Sequence, residues 1–194
     1  MRWDHLFDDL ESQLEHELGA EELDLLAEEE RLRLGRLTMR ERLRAIIPEV
    51  IRLTLADGTR LTLTLGAVGR DWIAGEEVRE SGAGPSCVVP TASIAACFVD
   101  PAQTRASLAQ DASGASPVGS LAARLGLPFI LRDLCRRRAA LTISTSTEVV
   151  HGTIDRVGRD HIDLAEHDPG VARRDRDVRA LRILPIEQLV QVRF

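Results

Sequence analysis

The chain spells one six-residue phrase twice: Val68-Gly69-Arg70-Asp71-Trp72-Ile73 and, later, Val157-Gly158-Arg159-Asp160-His161-Ile162. Each copy ends one alternating apolar run and starts another. That pattern marks a tight turn between two strands, with Gly supplying a positive φ and Asp closing the turn. A second shared phrase follows each copy, Val88-Val89-Pro90-Thr91-Ala92-Ser93-Ile94 and Ile183-Leu184-Pro185-Ile186-Glu187-Gln188-Leu189, and then a last apolar stretch. The two halves are therefore read as one small β module made twice.

From Glu49 the apolar residues repeat every second position, which predicts strands through Ile51–Leu55 and Leu61–Val68 around an Asp57-Gly58 turn. Three more are expected at Trp72–Gly75, Cys87–Val89 and Ala95–Val99, with residues 76–86 as a loop. The second half repeats the plan at Leu141–Thr145, Glu148–Val157, His161–Ala165, Val178–Leu184 and Leu189–Arg193. Ahead of both halves, Trp3, Phe7, Leu10 and Leu14 form a helical stripe. A second helix, from Glu21 to about Arg36, offers Leu23, Leu26, Leu34 and Leu37 on one side and a Glu29–Arg33 pair. Thr38-Met39-Arg40-Glu41 reads as a capping box opening a short third helix that Pro48 ends.

The expected fold is α+β, mainly β, with two tandem five-stranded small barrels. Four parts follow: an acidic helical segment at 1–48, barrel one at 49–99, a linker and helical hairpin at 100–138, and barrel two at 139–194. Superposable barrels with Trp72 and His161 at equivalent strand starts are the outcome expected of a duplication; one continuous sheet, or a helix at either place, would make that reading wrong.

The Gly152-Thr153-Ile154 approach to the second turn, the His161-Ile162-Asp163-Leu164 exit and the Pro185 turn resemble the Sm-like family and the wider group of SH3-like small barrels, over roughly residues 50–99 and 139–194. The resemblance implies a bent five-stranded sheet and RNA contact at the loops after the second and fourth strands. The first of those loops maps to Arg70, Asp71 and Trp72, and to Arg159, Asp160 and His161. Ala74 and Asp163 stand where that family places Asn, and the Pro90 and Pro185 turns replace its Arg-Gly. The layout of acidic helices and two barrels is also similar to an uncharacterised family of about 200-residue proteins from GC-rich bacteria. Such chains are sometimes labelled transcriptional regulators.

Charge is divided unevenly. Residues 1–30 hold twelve of the 31 acidic residues and one Arg, a local balance of −11, which leaves +5 on the rest of a chain with net charge −6. All 25 basic residues are Arg. The acidic block is either a solvated helix face or an arm that meets a basic surface. Three widely spaced cysteines, Cys87, Cys97 and Cys135, suit a reducing compartment better than a disulfide framework. With no apolar run of membrane-spanning length, the expectation is a soluble, cytoplasmic protein.

Motifs for chemistry are sparse. His161, Asp163, Glu166 and His167 lack a fourth ligand of matching spacing, and Gly82-Ala83-Gly84-Pro85 lacks the helix and Lys of a phosphate loop. No catalytic, metal or cofactor site is expected, and no enzyme. The candidate nucleic-acid contacts are Arg70, Trp72, Arg159, His161, Arg173, Arg174 and Arg176, with Arg136, Arg137 and Arg138 after Cys135. Residues 118–138 resemble a helix-turn-helix without its third helix, or else form a helical hairpin packing Leu121, Leu125, Leu131 and Leu134 on a barrel. Three functions stay open: a non-enzymatic RNA- or DNA-associated regulator, a protein-interaction adaptor or scaffold, and a helix-turn-helix regulator. Trp3, Phe7, Leu10 and Leu14 would serve a protein partner or self-association.

If the acidic segment competes with polyanions for the Arg-rich surface, a chain beginning near Thr38 binds single-stranded RNA more tightly than the full chain at low salt. The gain, read by fluorescence anisotropy, shrinks as salt rises. Equal affinities would make the segment a docking or solubilising arm.

Overall fold

The computed structural model describes residues 22–80, 82–109 and 122–194, in two units that divide after Met39. In the first unit, helix α1 covers 22–36. Its ion pairs are one residue shorter than the expected Glu29–Arg33 spacing: Arg33 makes two 2.7 Å bonds to Glu30, and Arg31 reaches Glu28 at 3.2 Å. Both arginines bend back over the preceding turn, which brings the i−3 carboxylate within reach. The stripe of Trp3, Phe7, Leu10 and Leu14 lies outside the described residues.

The second unit opens within α2 (Met39–Ala45), which sends Leu43, followed by Ile46, into the core of the first half. Then come β1 (Val50–Leu55), β2 (Arg60–Val68), β3 (Trp72–Arg79), β4 (Gly82–Pro90) and β5 (Ile94–Phe98). Helices α3 (Pro101–Leu108) and α4 (Leu127–Arg136) precede the second half. That half comprises β6 (Ala140–Thr145), β7 (Val149–Val157), β8 (His161–Glu166), β9 (Ala180–Pro185) and β10 (Leu189–Arg193). The alternation Leu61, Leu63, Leu65 buries one face of β2, and Gly58 at φ +83 turns β1 into it, with Asp57 accepting from the Thr59 N–H.

The protein is mainly β, but the expectation of two separate barrels is not met. All ten strands among the described residues form one open sheet in the order β5-β1-β2-β3-β4-β10-β6-β7-β8-β9, the outcome set against a pair of duplicated barrels. Each half keeps the same internal order, fifth-first-second-third-fourth. The halves join because β10 pairs with β4 as well as β6, Val192 opposite Val88 and Arg193 opposite Cys87. Two edges that would otherwise meet water satisfy each other.

The expected loop over 76–86 is also mostly strand: β3 and β4 run on until Arg79 faces Gly82. The glycines there serve close packing and reversal, since Gly82 has φ +114 and a Cβ on Gly84 would come 2.7 Å from the Glu77 carbonyl oxygen. Helix α3 was hidden in the expected linker. Its signal was legible: Asp100 accepts from the Gln103 N–H, the Gln103 side chain accepts from the Asp100 N–H, and Pro101 opens the first turn.

Two apolar cores result, one per half, and each borrows from the other. Val190 of β10 lies in the first core, while Trp72 and Val88 lie in the second.

The repeated turn also differs from its sequence reading. Positive φ among the described glycines belongs to Gly58, Gly82 and Gly170, not to Gly69 or Gly158. Gly is needed at the turn because an aromatic ring lies over its Cα. A Cβ on Gly69 would stand 2.1 Å from Trp72 Cε2, and one on Gly158 would stand 2.4 Å from His161 Cε1. Gly69→Ala must therefore push a buried indole aside, at a cost of about 2–3 kcal/mol. Gly158→Ala costs about 1 kcal/mol or less, because the half-exposed imidazole can swing outward. Urea denaturation midpoints of the two variants check the ordering.

Candidate functional site: the connector helix and the two repeated turns

Helix α4 buries Leu127, Leu131 and Leu134 at 4%, 0% and 4% exposure, an i, i+4, i+7 stripe against the second core. Its N-cap residue, Gly126, has no side chain to cap with. Asp71 of the first turn does so from another element, its Oδ1 accepting from the Leu127 N–H at 2.7 Å. Beside it, the Arg70 N–H and Trp72 Nε1–H both donate to the Leu125 carbonyl, at 3.1 and 2.9 Å. A Cβ on Gly126 would come 2.5 Å from Arg70 Nη2, the movable end of an exposed side chain. At the second turn, Arg132 of α4 donates to the Gly158 carbonyl at 3.4 Å. One helix thus touches both copies of the repeated phrase.

Of the sequence-predicted contacts, Trp72 is 4% exposed and its indole is engaged, so it offers no face to a base. Arg70 lies 3.5 Å from Asp71. Arg159 is exposed, and His161 packs over Gly158 with Nδ1 2.8 Å from Asp160 Oδ1, a bond that holds the Asp160 carboxyl below the usual carboxylate range.

The remaining arginines gather around acids that the sequence reading did not weigh. Arg136 and Arg137 at the end of α4 both pair with Asp133. Arg138, at φ +53, donates to Asp155 Oδ1 at 2.9 Å. Arg173 makes two 2.8 Å bonds to the same carboxylate and one of 2.7 Å to Asp175. Hydrogen bonding from Arg173, reinforced by its charge and that of Arg138, holds the Asp155 carboxyl below its ordinary range, and the same bonds push the Arg173 guanidinium up. Arg176 is 3.7 Å from Asp177, and Arg174 is exposed. The Asp133–Arg137 spacing of i,i+4 was visible in the sequence; the convergence of Arg138 and Arg173 on β7 required the fold.

His161 and His167 serve separate local bonds. His167, 2% exposed, lies 3.0 Å from the Thr153 hydroxyl through Nε2 and 3.0 Å from the Asp168 carbonyl through Nδ1. Among the described residues no three His, Cys, Asp or Glu side chains come together as metal ligands, and no helix is long and apolar enough to cross a membrane. The first helix of the suggested helix-turn-helix lies mostly outside the described residues.

Below the first turn lies a groove of about 310 Å³, lined by Arg70, Asp71, Ala92, Pro128, Glu187 and Gln188 among others. Its lining includes Ser93, 6% exposed, whose hydroxyl donates toward the Pro90 carbonyl at 2.8 Å or that of Val190 at 2.9 Å. Both halves of the chain and α4 contribute to its walls.

No known family, curated protein or solved structure matches the chain.

Because four arginines lean on Asp133 and Asp155, replacing both acids by Asn unmasks basic charge. The double variant is expected to gain salt-sensitive binding to single-stranded RNA at low salt, read by fluorescence anisotropy, that the parent lacks. The Asp155 carboxyl, depressed in the folded chain, lends stability above the unfolded carboxylate pKa that is lost as pH falls through and below that range. Asp155→Asn alone therefore flattens the acid limb of the stability profile, read from urea midpoints between about pH 6 and 2.5.

Proposed function

We propose that the chain is a non-enzymatic, cytoplasmic protein-interaction module that receives an extended segment of another protein in the groove below the first turn. In this reading each half is a small SH3-like barrel unit opened at one edge and joined to its twin. The observation that carries it is the groove itself. Arg136, Arg137, Arg138 and Arg173 face the chain's own carboxylates and Trp72 is buried, while the groove sets the Arg70–Asp71 pair, Glu187 and Gln188 among apolar side chains. A lining that mixes both charge signs with apolar side chains suits a peptide with both polar and apolar residues better than a uniform polyanion.

A second reading, nucleic-acid association, is favoured by one feature. Arg136, Arg137 and Arg138 run together at the end of α4 with side chains 79%, 71% and 63% exposed, so an outside phosphate could compete for them. Those residues, with Arg132, also form the outward face that a helix-turn-helix regulator would need.

The two readings part at low salt. The full chain, mixed with single-stranded RNA or duplex DNA, is expected to show no binding in the range of about 10⁻⁶–10⁻⁴ M typical of non-specific phosphate contacts. A photocrosslinker replacing Ala92 should yield a protein adduct in cells that one replacing the exposed Arg60 does not, and Gln188→Trp, which fills the groove, should abolish it. Salt-sensitive nucleic-acid binding with no groove-specific adduct would overturn the protein-docking reading.

A further inference from the structure

The seam within the chain joins unlike edges, the fourth strand of one half against the fifth strand of the other. The sheet ends in the same two kinds of edge. β5 pairs with β1, β9 pairs with β8, and neither has a second neighbour among the described residues. The halves correspond residue by residue: Pro90 faces Trp72 as Pro185 faces His161, and Cys97 faces Leu53 as Val192 faces Ile143. Ile183 thus stands where Val88 stands, and Cys97 where Val192 stands.

The fates of these counterparts differ sharply. Val88 is 1% exposed because it enters the core of the other half, yet Ile183 is 73% exposed and its neighbour Leu181 is 74% exposed. On the receiving side, β10 is buried from Leu189 through Val192, whereas Ala95, Ala96 and Phe98 of β5 are exposed. Two large apolar side chains on an unpaired sheet edge form a template for another strand, and the chain already shows which strand fits such an edge.

The geometry points to a second copy of this chain as the occupant. β9 of one copy adds antiparallel to β5 of the next, in the register of the internal seam, with Ile183 opposite Cys97 and Arg182 opposite Phe98. Ile183 then enters the first core of its neighbour, as Val88 enters the second core of its own chain. The Phe98 ring at that edge lies 5.8 Å from the Arg52 guanidinium. The contact is heterologous, so an assembly of any length keeps one free edge of each kind and grows head to tail. The inference stands apart from the groove, which neither edge strand lines.

Sedimentation of the full chain across roughly 1–200 μM, the range of weak self-association, tests it. The wild-type chain is expected to rise in mass beyond a single copy, while Ile183→Glu and Phe98→Glu each remain single copies. Both positions are exposed, so the thermal midpoints of the dilute variants should match the parent. Mixing the two variants should restore one joint and stop at a pair, since the first keeps an intact β5 and the second an intact β9. A wild-type chain that stays a single copy throughout overturns the proposal. So does association that survives Ile183→Glu, or a mixture that associates no more than either variant alone.

Discussion

The pairing of β4 with β10 is the constraint on which the rest of this structure depends. The ladder is short, with Val192 opposite Val88, Arg193 opposite Cys87 and the Phe194 N–H donating to the Ser86 carbonyl at 2.9 Å. Its importance lies in what it lets the side chains do. Val88 fills the second core and Val190 fills the first, and each would meet water if the seam opened, a loss of about 1.5–3 kcal/mol per side chain. Across the seam Arg193 comes 3.5 Å from Glu77, and burial pushes the Cys87 thiol pKa up. Neither half has a core complete without the other.

The same constraint explains how one repeated phrase came to do two jobs. Both turns share their backbone bonding: the Gly69 and Gly158 N–H groups donate to the Trp72 and His161 carbonyls, and the Asp71 and Asp160 carbonyls accept from Thr91 and Ile186. Their side chains have diverged. In the first copy Asp71 caps α4 and Trp72 holds the preceding loop, so the turn is an anchor for the connector. In the second, His161 and Asp160 bond to each other at the surface. The anchored copy faces the groove, which is why the groove's walls come from both halves and from α4.

Charge tells a parallel story. An Arg count read along the chain suggests a basic surface, but in three dimensions much of that charge is answered locally. Asp155 alone receives Arg138 from the end of α4 and Arg173 from the loop before β9. Arg182 likewise lies 2.6 Å from both Glu148 and Glu166. Networks of this kind fix loops in place more than they offer charge to a ligand, since each guanidinium has to leave a carboxylate to meet a phosphate.

The sequence by itself determined the local structure. Period-two runs fixed the β1 and β2 positions, the Gly-Arg-Asp phrases fixed where the hairpins reverse, and the Pro90 and Pro185 turns fixed where the last strands begin. These are short-range effects, set by side-chain alternation and turn chemistry within a few residues. The Asp100-Pro101 start of α3 was equally local and could have been read. What only the tertiary structure decided was every choice between distant partners. Whether β10 closes on its own half or bridges to β4, whether Trp72 faces a ligand or the Leu125 carbonyl, and whether Arg173 is available or held by Asp155 depend on groups that meet only once the chain is compact. Alternation shows that a strand has a buried face, but an edge carries no mark in the sequence of which other edge will cover it.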